Sequence, residues 1–386
     1  GAGGSGAMLA LAVEPDSLRA CLLDRVGADH RLTGWINVQR NQHSPLTGQL
    51  AAITRRMGQR MGRVLWDEDR RSPLLESPDP VGRPPLEHVV AAVNPVGKLR
   101  VWLAGLSREV SVTAAAQALQ SSPAQLIGHT ILSATLESGA LTQQLMTHQP
   151  DVLIVVGGYD SGAENARTPV LALCRLLGQA LDRLSPSQYP LIIYAGNRWA
   201  AEAGSALLSG TSDSLTATVV DNVCPRPTVI NHTDLTRVLQ YHHWQIARRA
   251  PGLMRLGQWV TEPAQMTSLD WSFAQLVQLW REDKGVADLH GIYAMHHWRL
   301  HVRSRRGRSV VDMRYATFNE PLTPPGWPTP ALLSGQPAGM QSLPESVRWW
   351  DRSGMAALVA TAGQVAPAAM MQVLVGDLFI DMVRGS

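Results

Sequence analysis

The segment Pro150-Asp151-Val152-Leu153-Ile154-Val155-Val156-Gly157-Gly158-Tyr159-Asp160-Ser161-Gly162 decides the fold class. Val152 to Val156 is an uninterrupted apolar, mostly β-branched run, the pattern of a strand buried on both faces. The glycines break it, and helical spacing follows over Thr168 to Leu184. The same module recurs downstream. Leu191 to Tyr194 ends in Ala195-Gly196-Asn197 before a helical Arg198 to Leu208, and Ala217 to Val220 ends in Asp221-Asn222. A short strand at Thr228 to Ile230 leads into a helix over Asp234 to Arg249. Upstream, Glu87 to Val93 and Val101 to Leu106 read as strands, and Thr113 to Leu119 as a helix capped by Ser111 or Thr113. Apolar strands alternating with helices imply a parallel sheet covered on both sides.

The middle of the chain, from about Val101 to Arg249, is therefore expected to be a Rossmann-like α/β unit. Ahead of it, Leu9 to Val13, a Glu14-Pro15-Asp16-Ser17 turn and Leu18 to Asp24 predict a hairpin that opens a sheet. Leu46 to Leu65 has helical spacing with arginines opposite. Asp67 to Pro85, with five prolines among dense charges, reads as a surface loop or linker. In the last third Phe273 to Trp280 is helical. Ile292 to Val302 and Ser309 to Phe318 read as two strands about a turn at Ser304 to Gly307. Pro321 to Pro330 reads as surface chain, Met355 to Thr361 as a helix, and Ala366 to Val383 as a core helix followed by a strand. Gly1 to Ala7 reads as a cloning scar before a natural start at Met8.

Composition narrows the function classes. With 386 residues, 45% apolar, 17% charged and a net charge of +3, the chain is long enough for a real core and too balanced to suggest a nucleic-acid partner. No apolar run reaches the roughly 18 residues of a membrane span, and Leu9 to Val13 reads as too short and uncharged at its front for a secretory leader, so the expected location is cytoplasmic. Cys21, Cys174 and Cys224 stand far apart in apolar stretches, as buried thiols in a reducing compartment would. His242-His243 and His296-His297 are adjacent pairs whose side chains diverge, so no metal site is expected. No Gly-x-Ser-x-Gly nucleophile motif occurs.

Four segments in register resemble the glutamate mutase accessory family called MutL, which is unrelated to the mismatch-repair protein of that name. They are Leu103-Ala104-Gly105-Leu106 with Val110 and Thr113; Pro150 to Gly162; Tyr194-Ala195-Gly196-Asn197; and Val219-Val220-Asp221-Asn222-Val223 with Pro225. Members of that family resemble the actin/Hsp70/sugar-kinase (ASKHA) ATPases and are associated with reactivating adenosylcobalamin-dependent mutases. The resemblance implies a two-lobed α/β fold of actin/Hsp70 type with the Rossmann-like region in the middle. It divides the chain into a first lobe over 8–100, an α/β region over 101–265 and a second lobe over 266–386.

The same resemblance exposes three losses. The first phosphate loop, of type Asp-Ile-Gly-Ser-x-x-Thr-Arg, falls on Ala12-Val13-Glu14-Pro15-Asp16-Ser17-Leu18-Arg19. Its metal-organising aspartate is Ala12, its glycine is Glu14, and Pro15 has no N–H. A carboxylate 4 Å from a phosphate is repulsive by roughly 1 to 4 kcal/mol, depending on the effective dielectric. The second phosphate loop, Asp-Val-Gly-Gly-Ala-Thr-Thr, falls on Tyr293-Ala294-Met295-His296-His297-Trp298-Arg299. The adenosine turn falls on Ala360-Thr361-Ala362-Gly363, with one glycine left.

The resulting expectation is a pseudo-ATPase with no catalytic residue, no metal and no cofactor, acting as a scaffold for a protein partner, a second copy of itself included. An ATP- and magnesium-dependent reactivating chaperone is the alternative, and a small-ligand binder the second alternative. Gly157, Gly158, Asp160, Gly162, Gly196, Asn197, Asp221 and Asn222 would line a crevice at the strand ends, or else serve only as turns and caps. Arg299, Arg303, Arg305, Arg306 and Arg308 would contact an anion or acidic partner, or else form a solvated hairpin. Trp349-Trp350, between charged neighbours, is the best exposed-contact candidate.

Overall fold

A computed structural model of the chain describes residues 7–26, 29–75, 78–80, 82–83, 85–94, 97–210, 215–262, 266–285, 287–294, 299–307 and 311–316. Two compact units emerge. One is discontinuous, Gly1–Gly97 with Trp244–Ser386; the other is the intervening Lys98–His243. Among the described residues no helix is long and apolar enough to cross a membrane.

The discontinuous unit opens with three antiparallel strands, β1 (Ala7–Val13), β2 (Ser17–Val26) and β3 (Asp29–Gln39). Every residue of β1 is buried, so the strand shows no polar alternation and lies at the centre of its sheet. Helix α1 (Leu46–Met61) buries Leu46, Leu50, Ile53 and Met57, one stripe at helical spacing. Gly62 ends it in the left-handed conformation, φ 61°. The short strands β4 (Trp66–Asp67) and β5 (Ser72–Pro73) pair with each other, and β6 (Leu86–Val93) runs parallel to β1. The stretch from Asp67 to Pro85 is tied into the fold. Leu74 donates its N–H to Leu65, Leu86 donates to Leu74, and the buried Asp79 carboxylate accepts from the Arg83 N–H at 2.8 Å.

The continuous unit contains β7 (Leu99–Gly105), α2 (Thr113–Leu119), β8 (Ala124–Ile131), α3 (Ser138–His148), β9 (Val152–Val155), α4 (Glu164–Leu181), β10 (Leu191–Tyr194), α5 (Ala201–Ser209) and β11 (Ala217–Val219). Helix α6 (Thr233–Arg249) begins in it and ends in the other unit. The five strands form one parallel sheet in the order β8-β7-β9-β10-β11. In chain order this is second, first, third, fourth, fifth, a doubly wound arrangement whose order reverses between β7 and β9. Leu103, Ile154, Val155 and Ile193 are fully buried in it. Helix α4 covers one face with Val170, Leu173, Cys174, Leu177 and Leu181.

Back in the discontinuous unit, α7 (Leu253–Trp259) precedes β12 (Met266–Ser268), which pairs parallel with β6 and completes the sheet β12-β6-β1-β2-β3. Helix α8 (Leu269–Lys284) then packs on the antiparallel sheet β13 (Asp288–Ala294), β14 (Arg299–Arg305) and β15 (Asp312–Ala316). Gly291 lets the helix approach: a Cβ there would lie 2.3 Å from Val277 Cγ2.

The structure corrects three local expectations. Ile292 to Val302 is not one strand but two, folded back so that Ile292 faces His301 and Tyr293 faces Leu300. Thr228 to Ile230 forms only an isolated bridge between Arg226 and Val229, because Pro225 and Pro227 have no N–H to extend a ladder. The cap ahead of α2 is Ser107, whose Oγ accepts from the Val110 and Ser111 N–H groups, because a five-residue π turn over Arg108–Val112 moves the helical start upstream. Strands β3, β4, β5, β8 and β12 and helices α3 and α7 have no counterpart among the sequence expectations. The segments from Pro321 to Pro330, Met355 to Thr361 and Ala366 to Val383 lie outside the described residues.

Candidate functional site

The turn between β1 and β2 is held from within. The Glu14 N–H donates to the Ser17 carbonyl at 2.9 Å, and Pro15 has none to give. The Glu14 side chain is buried, 3% exposed. Its Oε2 accepts from Ser17 Oγ at 3.2 Å, and its Oε1 accepts from the Tyr293 hydroxyl and lies 3.5 Å from Arg19. The Arg40 guanidinium donates to the Glu14 carbonyl, and the Arg40 N–H to the Asp16 carbonyl. A buried carboxylate is tolerated only when charge and donors surround it, and Glu14 has both.

Tyr293 is the next-to-last residue of β13, on the hairpin that carries the second sequence-identified loop. Its fully buried ring stacks at a tilt on Phe273, centroids 5.5 Å apart. The residues at the two phosphate-loop positions, 279 apart in the chain, therefore meet in one hydrogen bond. The middle of the second loop, 295–298, lies outside the described residues, as do 360–363 and Trp349-Trp350. Ala12, at the metal-carboxylate position, is buried in β1 opposite Arg19 and Ala92. A phosphate turn offers spare backbone N–H groups and a metal-binding acid; here the Glu14 N–H is used within the turn, Pro15 has none, and Ala12 carries no carboxylate. A second buried pair lies beside α8: the Tyr315 hydroxyl donates to Asp270 Oδ2 at 2.6 Å, and burial together with the Asp270 charge holds that phenol well above its usual range.

Of the eight crevice residues, Gly157, Gly158, Asp160, Gly196, Asn197 and Asn222 meet at the carboxyl edge of the parallel sheet, where their polar groups are taken up by one another and by nearby backbone. Asn197 Nδ2 donates to the carbonyls of Tyr159 (2.7 Å) and Ser161 (3.0 Å), and its Oδ1 accepts from the Trp199 N–H. Asn222 Nδ2 donates to the Gly158 carbonyl and to Asp160 Oδ1, both at 2.9 Å. Asp160 Oδ1 also accepts from the Arg198 N–H. The Asn197 N–H donates to the Gly157 carbonyl at 3.0 Å, and Gly196 packs against that carbonyl, where a Cβ on Gly196 would lie 2.7 Å away. Gly158, at φ 74°, admits no side chain, since a Cβ would sit 2.8 Å from the Ala166 carbonyl. Asp221 is exposed and accepts from Asn231, and Gly162 is exposed at the loop's far end. The cluster locks the loop after β9 to those after β10 and β11.

The arginines of β14 have partners of their own. Arg303 is bonded to Asp288, and Arg305 to Asp312 at 2.8 Å. Arg306 donates to the Gly285 and Ala287 carbonyls. Arg299 pairs in the ladder opposite Ala294 and Ala316, and Arg308 lies outside the described residues. Among the described residues no group of three or more His, Cys, Asp or Glu side chains is placed to hold a metal ion.

Two findings missing from the sequence reading are the Glu14–Tyr293 and Asp270–Tyr315 bonds. The first had a signal, since both residues replace glycine or aspartate at phosphate-loop positions; the second had none.

The fold and this self-bonded turn define an α/β protein whose two hairpins, β1–β2 and β13–β14, are pinned together by side chains. A family model described as MutL protein matches residues 54–290, and the chain belongs to that family. No curated protein matches it significantly. Among solved structures it is similar to an acetone carboxylase in its nucleotide-free form, from work titled as the mechanism of ATP-dependent acetone carboxylation. That match has 8% identity and a TM-score of 0.36 over 80% of this chain and 48% of the other, so the chain spans about half that protein's length.

Proposed function

We propose that this MutL-family protein is a two-lobed ASKHA-type molecule that has exchanged nucleotide turnover for protein contact. The observation that carries the proposal is the buried Glu14 carboxylate, bonded to Ser17, Arg19 and Tyr293 where the resemblance requires a glycine beside phosphates. Three features support it. The Glu14–Asp16 turn joins the central strand β1 to β2, as a first phosphate hairpin would. Tyr293 stands at the end of β13, on the hairpin of the second. Pro15 and the internally used Glu14 N–H leave the first turn short of donors. A phosphate entering here would have to break a buried charge-assisted bond and then face the freed carboxylate.

A protein without fuel acts through surfaces, so its partners are proteins, a second copy of itself included, and the accessory role of the family makes a mutase-type enzyme the first partner to test. Cys21, Cys174 and Cys224 are buried, which suits thiols in a reducing cytosol. Isothermal titration with ATP and magnesium is the test. No binding heat at millimolar nucleotide is expected, whereas a micromolar dissociation constant would overturn the reading and restore the ATP-dependent chaperone.

A further inference from the structure

Strand β3 is the outer strand of the sheet β12-β6-β1-β2-β3, and among the described residues no strand pairs with its far side. Its backbone directions follow from the ladder. In an antiparallel pair, successive residues turn their N–H and C=O groups alternately toward and away from the neighbouring strand. The Arg40 N–H donates to the Asp16 carbonyl, and Val38, Ile36 and Gly34 stand opposite Leu18, Ala20 and Leu22 of β2. These four residues therefore bond inward. The bond from the Glu14 N–H to the Ser17 carbonyl fixes the same phase from the other side, since it commits Ser17, Arg19 and Cys21 to β1. Their partners on β3, Gln39, Asn37 and Trp35, turn their N–H and C=O groups outward.

The side chains of the same three residues are exposed, Trp35 by 53%. A bulge ends the regular run upstream: the pairs Leu22–Gly34 and Leu23–Leu32 leave Thr33 with no residue opposite. Sheet edges are ordinarily defended by lysine, proline or an inward-pointing charge. From Leu32 to Gln39 the sequence is Leu-Thr-Gly-Trp-Ile-Asn-Val-Gln, with neither charge nor proline. This edge is open in its backbone, apolar in part and undefended.

We propose that β3 pairs antiparallel with β3 of a second copy of this chain, joining two five-stranded sheets across a two-fold axis. The proposal rests on the reading of the molecule as one that works through contacts. Self-complementarity selects the occupant. A two-fold pairing sets residues of one sheet face opposite each other, and the register that uses every outward group is centred on Asn37. Asn37 then faces the copy's Asn37, and Trp35 faces the copy's Gln39, each pair exchanging N–H to C=O bonds. Between them Ile36 faces the copy's Val38, a β-branched pair on the side of the sheet where Gly34 meets Met61 of α1. Charge agrees: Arg40 falls opposite the copy's Gly34, so no like charges meet along the regular run.

The test is size-exclusion light scattering of the full chain over a concentration series up to about 100 μM, with melting curves as the check on folding. The wild type should dimerise as concentration rises. Asn37→Lys sets two ammonium groups against each other on the axis, and Asn37→Asp two carboxylates. Each should weaken association at least tenfold, and an equal mixture of the two variants should recover it. Asn37→Pro removes an outward N–H that a free edge strand does not use, so it should melt with the wild type and stay monomeric. Oxidised Asn37→Cys should give a covalent dimer, because directly opposed residues of such a pair lie about 5.5 Å apart at Cα. Ala203→Cys, exposed on α5, should not. Should Asn37→Pro fail to fold, the charge mixture and the cross-link still decide. A wild type that stays monomeric, or a dimer indifferent to Asn37 and not cross-linked there, would overturn the proposal. An ATP–magnesium titration on the same samples reports separately on the Glu14 reading: a monomer that binds no nucleotide would sink the dimer alone, and a dimer that binds nucleotide would sink that reading alone.

Discussion

Glu14 and Tyr293 show how much a single bond can carry when it is buried. Removing the phenol oxygen in Tyr293→Phe leaves Glu14 with Ser17 and Arg19 and keeps the ring on Phe273. Loss of one hydrogen bond to a charged acceptor should lower stability by about 1.5–3 kcal/mol, read from urea unfolding. A variant as stable as the wild type would mean that the bond contributes nothing and that Ser17, Arg19 and Arg40 suffice to hold the turn. The cysteines make a second prediction. Burial pushes the Cys174 thiol up to about 12 from an ordinary 9.0, and raises Cys21 further. Above pH 9 the unfolded chain sheds a proton that the folded chain keeps, so this contribution is fully present below 9 and declines as pH rises toward 12. The urea midpoint should therefore fall between pH 8 and 10.5, less steeply in Cys174→Ala; equal slopes would refute the assignment. Neither bond partner could be read from its neighbours. Glu14 was visible as a departure from a glycine and Tyr293 as a bulky intruder, but a contact across 279 residues leaves no periodicity to detect.

At the scale of elements, legibility followed burial. Strands β9 and β10, and β7 from Val101 onward, are apolar because both faces are covered, and their sequence runs match their structural spans closely. Strand β8 lies at a sheet edge with Gln125 and Leu126 exposed, and β12 has three residues, so neither offers a pattern. The arginine hairpin is a related case: alternation predicts one basic face, and in the structure His301 of that face is buried while Arg303 and Arg305 are bonded to Asp288 and Asp312. The glycines of the crevice were legible as turn formers, while their mutual bonding through Asn197 and Asn222 was not. Helix contact offers the clearest test at this scale. Gly178 in α4 faces the Leu207 carbonyl of α5, where a Cβ would lie 2.0 Å away from a backbone atom that cannot rotate aside. Gly178→Ala must push α5 off α4, at a cost of roughly 1–3 kcal/mol or more despite alanine's better helix propensity. A melting temperature equal to or above the wild type's would show that the helices are not packed as described.

At the scale of the whole chain, the two units differ in how their sheets are sourced. Every strand of β8-β7-β9-β10-β11 comes from Lys98–His243, and the covering helices α2 to α5 come from the same stretch. The other sheet draws β1, β2, β3 and β6 from before that stretch and β12 from after it. One unit is therefore complete once its last strand has been made, while the other lacks an edge strand, α7 and α8 until the chain returns. A parallel sheet with local crossovers also has lower loop-closure cost than one whose edge strand lies beyond an inserted domain. The fragment 98–249, which keeps α6 whole, should fold alone, with a cooperative thermal transition and dispersed amide resonances. The fragment 7–97 should not, because β6 would present an unpaired edge where β12 belongs and the apolar residues met by α7 and α8 would be bare. Circular dichroism melts of the two fragments decide the matter: a fragment 98–249 without a cooperative transition would show that its core depends on the rest of the chain, and a cooperatively folding 7–97 would show that β12 and its helices are dispensable.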